Sequence, residues 1–143
     1  MELFATAVKY GKMMEDGIVK SVTEQYLTEA VSHADAESRI VEKMSAFVSG
    51  DLEVTKVQKV LFSEVVTTED SDADEYWKVN ISFITLDEKT AKEKRTAAKL
   101  LIQCGGYHDC VKRFDAAMKG SMIDFEVTAL SKTKYLEIFK NKE

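Results

Sequence analysis

Lys89, Lys92, Lys94, Arg95 and Lys99 fall within eleven residues, and Glu93 is the one carboxylate among them. Just upstream stand Tyr76, Trp77 and Lys78. Cationic side chains beside aromatic ones are what proteins use to hold single-stranded nucleic acid, phosphates meeting Lys and Arg while bases stack on rings. The candidate nucleic-acid-binding residues are therefore Tyr76, Trp77, Lys78, Lys89, Lys92, Lys94 and Arg95. The same lysines have a plainer use, since charge along a hairpin keeps its edge from pairing with another chain.

Other constellations are weaker. Cys104, His108 and Cys110, with His33 from earlier in the chain, offer four metal ligands on paper. Their Cys-x3-His-x-Cys spacing fits neither the Cys-x2-Cys nor the His-x3-His pairing usual for zinc. Small buried cysteines serve as ordinary apolar residues, so no metal and no cofactor is assigned. The carboxylates between Glu69 and Glu75 lack the spacing and central glycine of a calcium loop. No Gly-x-Ser-x-Gly, phosphate loop or dinucleotide fingerprint occurs. No catalytic residue is named, and the chain is expected not to be an enzyme.

A net charge of −5 argues against a protein that coats duplex nucleic acid, which draws its affinity from many clustered cations. Any basic surface must be local. No apolar run approaches the roughly 20 residues that cross a bilayer, and Met1-Glu2-Leu3-Phe4 does not begin a signal peptide. Two cysteines placed six apart do not make a secreted disulfide framework. The protein is expected in the cytoplasm, with no membrane partner and with its thiols reduced.

The elements that position these residues are legible from periodicity. Trp77, Val79, Ile81 and Phe83 alternate with Lys78, Asn80 and Ser82, the period of two of a half-buried strand. Leu86 to Thr90 reads as a turn and Thr96 to Gln103 as the return strand. Earlier, Phe4, Thr6, Val8 and Tyr10 form a strand, Asp16-Gly17 a hairpin turn and Ile18 to Val31 its partner. Helices follow each pair, with Ala36, Ile40 and Met44 on one face of the first and Cys110, Phe114 and Met118 on one face of the second. Ser32 is placed to cap the first helix, with Gly50 as its stop.

The two halves also match each other. Residues 54–66 align without a gap over 127–139 at a shift of 73, Val54, Thr55, Lys59 and Glu64 meeting identical residues. The helices align at a shift of 74, with Asp35 over Asp109. The expected fold is α+β. Two tandem ββαβ repeats, 3–66 and 76–139, are joined by an acidic linker at 67–75 into one domain spanning 1–143. Together they form one antiparallel sheet with both helices on one face, related by a pseudo-twofold.

Several short stretches carry a family resemblance that runs nearly end to end. They are Val8-Lys9-Tyr10, Val22-Thr23-Glu24-Gln25-Tyr26-Leu27, Ser49-Gly50 followed by Leu52-Glu53-Val54-Thr55, Phe83-Ile84-Thr85-Leu86-Asp87-Glu88-Lys89, and Met118-Lys119-Gly120-Ser121-Met122. In these the chain resembles an uncharacterised family of proteins of about this length in Bacteroidetes and their phages. The resemblance implies a phage or mobile-element setting, hence the host cytoplasm, and implies no activity. Duplicated strand-and-helix units also resemble the tandem modules that bind single-stranded DNA, an analogy of fold alone. The leading expectation is a single-stranded nucleic-acid-binding protein. The alternatives are a protein-partner accessory factor or inhibitor and a binder of a small nucleotide ligand. Oligomeric state is not legible.

Overall fold

A computed structural model describes residues 1–141, and its architecture is α+β. The described residues form strands β1 (Glu2–Met13), β2 (Val19–Ala30), β3 (Leu52–Val60), β4 (Glu64–Val66), β5 (Glu75–Leu86), β6 (Glu93–Cys104), β7 (Asp124–Lys132) and β8 (Tyr135–Phe139), with helices α1 (His33–Ser45) and α2 (Tyr107–Met118). They divide into two compact units. Met1–Val60 and the described residues from Lys134 form the first, and Leu61–Thr133 form the second. No helix among the described residues is long and apolar enough to cross a membrane.

The single antiparallel sheet expected from the sequence is corrected here. There are two four-stranded sheets, ordered β3-β1-β2-β8 and β4-β6-β5-β7. Each is mixed, because its short strand, β8 or β4, runs parallel to its neighbour. The physical cause is a break in each stretch that reads as one long strand. Residues 52–66 part at 61–63, where the Ser63 N–H donates to the Lys99 carbonyl at 2.7 Å and starts β4 along β6. Residues 127–139 part at Thr133 and Lys134, and Thr133 is held by the Tyr76 carbonyl. The strand following β3 thus belongs to the second unit, and the strand following β7 to the first.

In the second unit, Trp77, Val79, Ile81 and Phe83 of β5 face α2, as their alternation requires. Val79 and Ile81 are buried with Leu100, Ile102 and Cys104 of β6 and with Cys110 and Phe114 of α2. Phe114 meets Phe125 edge to face at 5.8 Å. Two glycines make the entry to α2 possible. A Cβ on Gly105 would lie 2.7 Å from the Asp72 carbonyl oxygen, and Gly106 has φ of 113°, a conformation that disfavours any side chain. The acidic segment expected as a linker runs from β4 to β5 inside this unit. Gln103 ties it down by accepting from the Thr68 N–H at 3.1 Å and donating to the Ala73 carbonyl at 2.9 Å.

In the first unit, α1 buries Ala36, Ile40 and Met44 against its sheet. Ser32 caps the helix as expected, its hydroxyl accepting from the Asp35 N–H at 3.1 Å. The helix ends at Ser45, before Gly50 is reached. Two buried hydroxyls lie in the sheet beneath it, and they are paired. Thr6 donates to the Tyr26 carbonyl at 3.0 Å and lies 3.3 Å from the Thr28 hydroxyl. Phe139 of β8 stacks on Tyr26 at 5.0 Å, and that contact anchors the short strand.

Candidate functional site

The second sheet has a face turned away from α2, and pairing register decides what stands on it. Lys78 of β5 lies opposite Leu101 of β6 and Ser131 of β7; Asn80 lies opposite Lys99 and Ala129; Ser82 lies opposite Ala97; Ile84 lies opposite Arg95. Toward the hairpin end this face opens, with Ala97, Lys99 and Arg95 exposed, whereas Leu101 is fully buried.

Strand periodicity separates the residues that sequence proximity had grouped. Lys78 and Arg95 share the face turned away from α2, Arg95 at its open end and the half-buried Lys78 opposite the buried Leu101. Lys94, opposite Thr85, is on the α2 side, and Lys89 and Lys92 are in the turn between β5 and β6. Trp77 packs against the α2-side core, donates its indole N–H to Glu75 Oε1 at 3.0 Å and meets Tyr107 at 6.0 Å. Tyr76 shares the face of Lys78 but is only 6% exposed. Neither aromatic is placed as a stacking platform beside the lysines.

The cations also differ in what they touch. Arg95 Nη1 donates to Glu126 Oε2 at 2.7 Å, and its Nε lies 3.5 Å from Glu93 Oε2. These carboxylates, Glu126 first, raise the guanidinium pKa and neutralise its charge locally. Among the described residues Lys78, Lys89, Lys92, Lys94 and Lys99 make no ion pair.

Beside Lys99 lies a concavity of about 400 Å³, lined by Leu61, Ser63, Asn80, Ala97, Lys99 and Thr128 among others. Ala97 presents only a methyl group to it. A bulge after Asn80 sets Thr128 out of register, and the Thr128 hydroxyl donates to the Asn80 carbonyl at 3.2 Å. Asn80 Oδ1 is buried and has no hydrogen-bond partner among the described residues. Asn80 carries no signal of a site in the sequence, and Lys99 stands in the basic run without being among the candidate residues. The available signal was the hairpin register, which sets them side by side.

The entry to α2 is braced by charge. Asp109 Oδ2 accepts from the Gly105 N–H at 2.8 Å and from Arg113 Nε at 2.8 Å, while Arg113 Nη2 reaches Asp70 Oδ2 at 2.8 Å. The Gly105 N–H and then Arg113 hold the Asp109 carboxyl below its usual value, and Arg113 does the same to Asp70. In the first unit Asp35 Oδ2 accepts from the Val31 N–H at 3.0 Å and from Arg39 Nε at 2.9 Å.

Cys104 and Cys110 are free and buried. Burial raises both thiol pKa values, that of Cys110 to about 12. His108 packs edge-on against Tyr107 at 5.2 Å, and in the first unit His33 does the same with Phe4 at 4.9 Å. No three His, Cys, Asp or Glu residues among those described cluster to hold a metal.

An α+β chain of two sheet-and-helix units, the second with Lys99 exposed on the sheet face turned away from its helix, is the class that this architecture defines. The chain belongs to the family described as a domain of unknown function (DUF4494), whose model matches residues 2–141. A comparison with curated proteins finds no match.

Proposed function

We propose that this protein is a non-enzymatic binding protein that holds single-stranded nucleic acid on the open face of its second sheet. The observation that carries this is the placement of Lys99, without a carboxylate partner among the described residues, at a concavity on the sheet face that Lys78 shares, in a chain of net charge −5. An acidic body repels a polyanion generally, so a local basic face confines and orients it. The corresponding pair in the first unit is Ala7 and Gln25, so the Asn80 and Lys99 pair is a property of the second unit alone.

Several features support the finer architecture of two tandem ββαβ repeats related by a pseudo-twofold. The order strand, strand, helix, strand occurs at Glu2–Val60 and again at Glu75–Lys132. Arg39 and Arg113 share the shift of 74 that aligns Asp35 with Asp109. Val65 pairs with Leu101 as Ile138 pairs with Leu27. The resemblance to proteins of Bacteroidetes and their phages supports a phage or mobile-element setting, and two free thiols fit a reducing cytoplasm.

Fluorescence anisotropy with a labelled single-stranded oligonucleotide tests the proposal. Binding is expected to weaken with salt at a log–log slope of about −0.7 per neutralised phosphate, so about −1.4 for two lysines. Replacing Lys78 and Lys99 by Glu abolishes it. Absence of binding by the wild-type protein at micromolar concentration in low salt would overturn the proposal.

A protein-partner role has its own supporting observation at the first hairpin, where Met13, Ile18 and Val19 are 69%, 56% and 60% exposed. If that reading holds, lysine at Met13 and Ile18 abolishes partner capture and leaves oligonucleotide binding unchanged.

A further inference from the structure

We infer that the concavity beside Asn80 is a nucleobase subsite that prefers a base with an exocyclic amine over thymine or uracil. The inference rests on the single-stranded nucleic-acid reading and adds to it a chemical preference that charge alone does not supply. Three observations meet at this place. The space is about 400 Å³, within the range of a small-molecule pocket and ample for one flat base. Lys99 stands at its wall, able to meet the phosphate of a nucleotide whose base is inside. Asn80 Oδ1 is buried and without a donor among the described residues.

A buried acceptor left unpaired is costly, and native proteins rarely keep one without a use. The side-chain amide of Asn turns about a broad terminal torsion, so a small rotation brings Oδ1 to the wall of the concavity. What reaches a recessed acceptor is a donor that projects from the ring. The amines of adenine and cytosine project in this way, and Asn is a known partner for an amine beside a ring nitrogen, its oxygen accepting and its nitrogen donating. Thymine's ring N–H is also a donor, but it lies within the ring edge between two carbonyl oxygens, so it reaches a recessed Oδ1 less far than an exocyclic amine does. The walls suit a ring as well, with the Leu61 side chain 72% exposed at the rim and the Ala97 methyl at the floor.

The test compares labelled oligo-dC, oligo-dT and an abasic strand of equal length at neutral pH, with free deoxycytidine monophosphate as competitor. Oligo-dC is expected to bind at least about fivefold more tightly than oligo-dT, and the abasic strand most weakly. Asn80→Ala should erase the difference between dC and dT while leaving the salt slope unchanged. That variant removes an unpaired acceptor, so its folding is not endangered. Ala97→Leu, which fills the floor, should lower oligo-dC to the abasic level. Equal, salt-dependent binding of all three strands overturns the subsite and leaves the nucleic-acid reading standing. Deoxycytidine monophosphate binding as tightly as the strand keeps the subsite and overturns the strand reading. No binding of any probe overturns both.

Discussion

Arg113 donates from Nε to Asp109 Oδ2 at 2.8 Å, onto the same oxygen that accepts the Gly105 N–H. One carboxylate oxygen thereby joins the loop after β6 to the first turn of α2, where negative charge also suits the helix dipole. Arg113 then reaches Asp70 in the segment after β4, so three parts of the second unit meet at one guanidinium. Asp35 and Arg39 repeat the geometry in the first unit, where Arg39 Nη1 finds Asn141 at 2.6 Å instead of a carboxylate.

The charge on Asp109 should be visible in acid. The folded carboxyl titrates below its usual 3.8. Its contribution to stability is therefore complete above pH 3.8 and is lost as pH falls through the lowered value. Thermal melts of wild type and Asp109→Asn should differ by a constant amount near neutrality, and the gap should close below pH 3.8. A gap that does not change with pH would mean that the carboxylate charge takes no part in the brace.

Much of this was legible in the sequence because it is local. The alternation Trp77, Val79, Ile81, Phe83 gives β5 and its inward face, and Ser32 before Asp35 gives the start of α1. That alternation also puts Trp77 on the apolar face, where it packs against the core beneath α2. The breaks at 61–63 and at Thr133 carry no proline or glycine, so nothing local announces them. Where β4 and β8 pair is decided by parallel partners far along the chain, and periodicity holds no information on that choice. Asn80 looked like one polar residue in an alternating strand; only the register and the bulge reveal its unpaired oxygen.

Phe114 is the largest α2 side chain in the core of the second unit, 5% exposed and in edge contact with Phe125. Phe114→Ala should cost about 3–5 kcal/mol, since it removes the ring and leaves a cavity that a sheet cannot collapse to fill. Urea unfolding at fixed pH reads this directly. A loss under about 1 kcal/mol would place that helix face in solvent.

The thiols should be silent in the folded state and costly in alkali. Burial lifts Cys110 from its usual 9.0 to about 12. Because the folded value is the higher one, the stability tied to the neutral thiol is whole below pH 9.0 and drains away as pH rises toward 12. A thiol reagent at mildly alkaline pH should modify neither cysteine until urea unfolds the chain, and Cys110→Ala should flatten the loss of stability above pH 9.0. Rapid modification of the native protein would show that the second unit opens there.

Arg95 and Lys99 should differ in their effect on polyanion binding although they are four residues apart on one strand face. The Arg95 guanidinium meets Glu126 at 2.7 Å and Glu93 at 3.5 Å, so a phosphate arriving there must displace carboxylates. Lys99 has no such partner among the described residues, and its side chain is part of the lining of the concavity. Each lysine that truly neutralises a phosphate contributes about 0.7 to the magnitude of the log–log salt slope. Lys99→Ala and Lys78→Ala should each flatten the slope by about that amount, and Arg95→Ala should leave it nearly unchanged. Slopes measured by anisotropy titration over a series of salt concentrations separate the single variants. If Arg95→Ala flattens the slope as much as Lys99→Ala does, its carboxylate pairs do not hold in solution and the basic surface extends to the end of the hairpin.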